Sequence, residues 1–166
     1  MNQRFAATSF LVFLAAAVAF VWGSSDALPP LVASHFGSQG NADGFMPRSA
    51  YVIFIVVLLL LIPLLLAFLP FALARMDVRN INLPNGQYWL AAERREETFV
   101  FLRLHFVSFA SVLVVFLAYV HWLVVQANQH QPPQLSTPAI ITGLVVFTAA
   151  VVVWLIILYR RFNKSA

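Results

Sequence analysis

Two side chains between residues 24 and 48 have the chemistry to act on something else: the imidazole of His35 and the carboxylate of Asp43. Such a pair can ligate a metal, hold a peptide by hydrogen bonds, or titrate near neutral pH. One His and one Asp are too few for a zinc site, since catalytic zinc takes about three protein ligands. His130, in the loop between the third and fourth apolar stretches, is the residue that would have to join them. The plainer alternative is structural: Asp43 favours a turn before Gly44, and His35 caps or packs against Phe36. No metal is expected, and a structural or partner-binding loop is.

Three other groups invite a chemical reading. Arg103 and His105 fall inside an apolar stretch, where an ionisable residue costs roughly 2.5–3.5 kcal/mol to insert. Arg103 is close enough to one end to snorkel, with Glu96 seven residues back on the same helical face. His105, about 200° around the helix from Arg103, is expected to face the bundle and hydrogen-bond to a neighbouring helix. His121 is expected at the outer interface. A proton relay from His105 to His121 would have to bridge about 24 Å of helix without an acidic residue. Glu93, Glu96 and Glu97 alternate with Arg94 and Arg95, which reads as a solvated helix start, with Arg94 and Glu97 as an i,i+3 pair. No nucleophile elbow, phosphate-binding glycine loop or His-Glu-x-x-His pattern is present.

The composition says what must position these residues. Hydrophobic residues make up 61% of the 166 and charged residues 10%, with mean hydropathy +0.85. A soluble domain this size has roughly 45–50% and about 25%. The surplus must face lipid, which excludes most soluble enzymes and nucleic-acid-binding folds in spite of the net charge of +4. The absence of cysteine removes disulfides and thiolate-held metals. Four stretches are long enough to cross a bilayer, at about 5–23, 50–74, 99–125 and 139–159. The fold class expected is an all-α membrane protein, an antiparallel four-helix transmembrane bundle forming a single membrane domain.

The first stretch resembles a signal peptide, with Arg4 ahead and Ala17-Val18-Ala19 like a cleavage site. Its overlong apolar run makes a retained span the expectation. Arg4, then Arg75, Arg79, Arg94 and Arg95, then Arg160, Arg161 and Lys164 mark one side; Arg48 stands alone on the other. Both termini and the loop 75–98 are therefore expected to be cytoplasmic. Pro63 and Pro70 predict bends in the second span. Ala15, Ala19 and Gly23 form a small-residue stripe open to close helix packing, or simply reflect alanine as a helix former. Trp122, Trp154 and Tyr159 fit an interfacial aromatic belt.

Two loops are more than connectors. The external loop 24–48 far exceeds the roughly 2–8 residues that join neighbouring helices. Pro29 and Pro30 force an extended entry, residues 31–36 fit a short strand, and Gly40-Asn41 and Asp43-Gly44 signal turns, so an ordered hairpin or cap is expected. In the loop 75–98, residues 82–86 form a turn. Residues 87–98 are good helix formers expected to run on into span three, with Tyr88, Trp89 and Leu90 in the headgroup region.

The string Leu28-Pro-Pro-Leu-Val-Ala-Ser-His35-Phe36, then Gly40, Asp43-Gly44 and Arg48, resembles the defining segment of the SdpI-like family of bacterial membrane proteins. Residues Asn82-Leu83-Pro84-Asn85 with Tyr88-Trp89-Leu90 and Glu93-Arg94-Arg95 resemble a short subgroup from Gram-negative bacteria. The family takes its name from an immunity protein against a secreted peptide toxin. The resemblance implies a multi-pass protein of the bacterial inner membrane, without catalytic residues, cofactor or nucleic-acid partner. It would act by binding a peptide or a partner membrane protein. Pro30, His35, Phe36, Asp43, Gly44 and Arg48 would form the external binding surface. Asn85, Tyr88, Trp89, Arg94 and Arg95 would form the cytoplasmic one, with Arg103 and His105 as intramembrane polar residues. The alternatives are an accessory subunit of a larger membrane complex and, from another class, a small metal-dependent enzyme or transporter.

Overall fold

The computed structural model describes residues 3–163, so Lys164, counted above with the basic tail, lies outside the described residues. The chain is a helical membrane bundle, and four helices are long and apolar enough to cross a membrane. These are α1 (Gln3–Ser24), α2 (Arg48–Leu73), α4 (Ala92–Ala127) and α5 (Thr137–Phe162); a single helical turn, α3 (Gly86–Trp89), precedes α4. Between α1 and α2 lies the hairpin β1 (Leu31–Phe36) and β2 (Ala42–Pro47). The hairpin and the loop before α5 sit at one end of the bundle. The charged loop and the C-terminus of α5 form the other, the basic end.

Helical spacing explains the core. Phe10, Leu14, Ala17 and Val21 on α1, and Tyr51, Ile55, Leu59 and Pro63 on α2, recur every three or four residues and are buried together. Both meet Val107, Ala110 and Val114 of α4. The prolines of α2 lie on this buried face, and the helix continues through both of them. Ala15, Ala19 and Gly23 point outward instead, and a Cβ at Gly23 would meet nothing within 4 Å. That stripe makes no close contact, because the larger residues on the opposite face of α1 carry the packing.

The three-helix core of α1, α2 and α4 leaves α5 at the side, where α4 is its main neighbour. Phe162 is the one buried residue of α5. Their interface is an aromatic ladder: Phe116 stacks on Phe147 at 4.2 Å, and Phe109 on Trp154 at 4.8 Å. Close approach at the hairpin end needs Gly143, since a Cβ there would lie 2.4 Å from the Tyr119 ring. The Tyr119 hydroxyl donates to the Ala139 carbonyl at 2.8 Å. The Trp154 indole nitrogen is tied to α4.

Helix α4 does not extend back to residue 87. Leu90 and Ala91 break it from α3, with Ala91 in an extended conformation, and the Thr98 hydroxyl donates to the freed Trp89 carbonyl at 2.8 Å. The break turns Trp89 and Leu90 inward against Phe99, Leu102 and Phe162. They are core, not headgroup, residues, and Tyr88 is half-buried.

Candidate functional site

The hairpin has the strand at 31–36 that the sequence predicts, but not the turn at Asp43-Gly44. The turn lies at residues 37–40, where Gly40 N–H donates to the Gly37 carbonyl at 2.9 Å and Gly40 has φ of 83°. Asp43 and Gly44 belong to β2, at a register irregularity that places Gly44 opposite His35. A Cβ on Gly44 would come within 2.8 Å of the His35 Cβ. The absence of a side chain lets the His35 imidazole lie over β2 and pair with the Asp43 carboxylate on the exposed face. Replacing Asp43 by alanine and Gly44 by valine together removes that pair and overpacks the bulge, at a cost of about 1–3 kcal/mol. Amide exchange at the hairpin tip is expected to quicken while the helical circular dichroism is unchanged. Unaltered exchange would contradict the packing described.

Each edge of the hairpin has a different fate. The Asn128 side chain, from the loop after α4, pairs with both backbone groups of Ala33: Ala33 N–H donates to Oδ1 at 2.8 Å, and Nδ2 donates to the Ala33 carbonyl at 2.9 Å. The β1 edge is therefore occupied. Ala33 pairs with Phe45, and because Ala33 turns its backbone groups away from β2, this is a non-hydrogen-bonded pair. The N–H and C=O of Phe45 accordingly point out along the other edge. Among the described residues, no hydrogen bond from outside the hairpin reaches β2 from Ala42 to Pro47. Beside that open edge Phe45 is 52% exposed, and Leu31 at the start of β1 is 58% exposed.

The rest of the hairpin is fastened down. Arg48 donates its N–H to the Pro30 carbonyl at 2.9 Å and its guanidinium to the Leu28 carbonyl at 3.1 Å. Leu135 N–H donates to the Gly40 carbonyl at 2.8 Å, and a Cβ on Gly40 would strike the Leu135 oxygen. Phe36 packs against the core. Of the predicted external residues, then, His35 and Asp43 form one exposed pair, Gly44 makes room for it, and Pro30, Phe36 and Arg48 serve docking. His130 does not join them; it lies with Gln134 and Ser136 at a separate recess. Among the described residues no group of three or more His, Asp or Glu is placed to hold a metal.

Residues 10–67 match the model of a domain of unknown function, DUF1648. The matched stretch is roughly a third of the chain. It takes in most of α1, the whole hairpin and most of α2, and ends before α4 and α5. No curated protein and no solved structure matches the chain.

Sequence reasoning missed a residue beneath the hairpin. His121 is fully buried inside the bundle. Its Nε2 lies 2.8 Å from the Ser24 hydroxyl of α1 and its Nδ1 3.0 Å from the Tyr51 hydroxyl of α2. The Ser24 hydrogen goes to the Phe20 carbonyl at 2.7 Å. Nε2–H therefore donates to Ser24, and Tyr51 donates to Nδ1. One neutral imidazole ties three helices under the hairpin. The signal was there in outline: Ser24 ends span one, Tyr51 opens span two and His121 nears the end of span three, all at the same depth.

At the basic end most predicted residues hold the bundle together. The Asn85 side chain and the Trp89 indole both donate to the Phe162 carbonyl, at 2.9 and 3.2 Å. Arg95 donates to the Ala74 and Met76 carbonyls just past α2, at 3.1 and 3.2 Å, where a cation suits the helix dipole. Arg94 lies 3.9 Å over the Tyr88 ring, and Glu97 pairs with Arg161 of α5 instead of Arg94. Asp77 caps the 3-10 turn Val78–Asn80, and hydrogen bonds from Arg79 hold its carboxyl below the usual range.

Within α4, Arg103 donates to Glu96 at 2.6 Å across two turns, with the carboxylate in the open. His105 faces α5. Its Nε2–H donates to the Trp154 carbonyl at 3.1 Å, and the Trp154 indole returns a bond to the His105 carbonyl at 3.0 Å. The two rings stack at 4.7 Å. His105 and His121 share no partner, and each is engaged in fastening helices.

Proposed function

We propose that this multi-pass membrane protein is a non-catalytic, SdpI-like protein of the bacterial inner membrane, with both termini cytoplasmic and the hairpin outside. It acts by binding an extended segment, either a peptide or a strand of a partner membrane protein, along the open edge of β2. The observation that carries this reading is the contrast between the two edges. Asn128 closes the β1 edge, while Phe45 offers an unpaired N–H and C=O beside an exposed apolar surface. An added strand gains main-chain hydrogen bonds there, and the exposed Phe45 reads its side chains. The tie of the hairpin to Asn128, Arg48 and Leu135 makes the edge rigid, so little ordering is required on binding.

A second reading, an accessory subunit of a larger membrane complex, is favoured by α5. Its outward face meets no other element among the described residues and exposes Val145, Val152 and Ile156. The two readings meet if the strand comes from a neighbouring subunit.

Proline at position 45 separates binding from folding. It removes an outward N–H that β1 does not use, and proline is tolerated on a strand edge. The Phe45→Pro variant is expected to keep its helical content and lose its companion in native mass spectrometry of protein gently extracted from its own membrane. Retention of the same companion by Phe45→Pro would exclude the β2 edge as the binding surface.

A further inference from the structure

A depression of about 610 Å³ opens at the basic end, between Trp89 and the last turn of α5, far from the hairpin. It is lined by Trp89, Ile157, Tyr159, Arg160, Arg161 and Asn163. We propose that it holds the phosphate of an anionic phospholipid, with an acyl chain running along α5.

The polar groups at its wall have hydrogen to give and few acceptors to give it to. Arg160 is exposed and makes no ion pair among the described residues. Arg161 gives one nitrogen to Glu97 and lies 4.6 Å over the Trp89 ring, with its side chain still 31% exposed. The Tyr159 hydroxyl accepts from Asn163 Nδ2 at 2.7 Å, which leaves its own hydrogen unclaimed. The carbonyls that end a helix would normally repel an anion. Here the Phe162 carbonyl is covered by Asn85 and Trp89, and the Tyr159 carbonyl by Asn163 N–H at 2.8 Å. Two guanidiniums, a phenol and an amide around one recess suit a phosphodiester.

Two features select a lipid, and an anionic one. Ile157 forms the inner wall and Val153, one turn deeper, is 55% exposed, so an apolar track leads from the recess toward the bilayer. The carboxylate nearest the recess, Glu97, is already engaged by Arg161, so among the described residues no unpaired carboxylate lines it to receive the ammonium of a zwitterionic headgroup. A basic recess between helices near a membrane surface is where anionic headgroups bind.

The test is native mass spectrometry of delipidated protein in detergent with phosphatidylglycerol or phosphatidylcholine, for the wild type, Arg160→Gln and Arg160→Lys. Phosphatidylglycerol is expected to bind about 25-fold better than phosphatidylcholine, at about fivefold for each of two guanidiniums near the surface. Arg160→Gln is expected to weaken it about fivefold, and Arg160→Lys to restore most of the loss. Arg160 is exposed, so these variants fold alike, as an unchanged unfolding temperature verifies. Equal binding of the two lipids, or no loss in Arg160→Gln, would overturn the proposal. Displacement of phosphatidylglycerol by millimolar inorganic phosphate would overturn the lipid assignment in favour of a soluble phosphate.

Discussion

Replacing His121 by leucine is expected to lower the unfolding free energy by about 2–3 kcal/mol, measured by denaturant or thermal unfolding in detergent. Leucine fills similar space but offers no nitrogen. The Tyr51 hydroxyl, buried with its acceptor gone, then bears a desolvation cost of about 1–3 kcal/mol. Ser24 suffers less, because its hydrogen already rests on the Phe20 carbonyl. The rest of the loss comes from the stacked contact of Tyr51 with the ring at 5.7 Å and the edge contact of Phe20 at 5.6 Å. Polar contacts between membrane helices average only about 0.6 kcal/mol, so the orphaned hydroxyl and lost ring packing account for most of the effect. Tyr51→Phe in the His121→Leu background is therefore expected to recover part of the loss. Additive effects of the two changes would mean that the hydroxyl and imidazole do not depend on each other.

Asn128→Ala is expected to act just as strongly but more locally. Ala33 is completely buried, and the change leaves both its N–H and its carbonyl without partners. Two such groups cost about 2–6 kcal/mol together. Among the described residues Asn128 bonds only to β1 and to its own helix end, so the penalty appears as opening of the hairpin rather than loss of the spans. Hydrogen exchange at Val32 and Met46 is expected to accelerate by about 30-fold or more, with exchange in the middle of α2 and α4 unchanged. Uniform acceleration throughout the chain would show instead that Asn128 supports the whole bundle.

What could be read from the sequence follows from the range of each interaction. Length and hydropathy located the four spans, and the short run at 31–36 between prolines and turn residues located β1. Arg103 and Glu96, seven residues apart, could be paired from helix geometry alone. His105 could be assigned to the helix–helix side because the lipid face excludes it. Asp43-Gly44 misled because the dipeptide that favours a turn also serves a bulge, where the missing side chain admits His35. Trp89 misled because an amphipathic aromatic suits a headgroup and a buried helix end equally well. Its placement depends on the Phe162 carbonyl, 73 residues away. His121 and Asn128 depend on partners 97 and 95 residues distant, which no local pattern reveals.

The outward stripe of α1 and the inward Gly143 of α5 make the same point. Small residues permit close packing, but which of them meet a neighbour is decided by the larger side chains on the other faces. Tyr119 fills the space above Gly143, whereas nothing approaches Gly23.

The central claim is that β2 presents an open edge to an extended partner. Hydrogen exchange at the Phe45 amide tests it most directly, in protein extracted with its companion and again after the companion is removed. The expected result is strong protection of Phe45 in the complex and rapid exchange without it, with Met46 protected in both states by β1. Equal exchange at Phe45 in the two states would contradict the claim.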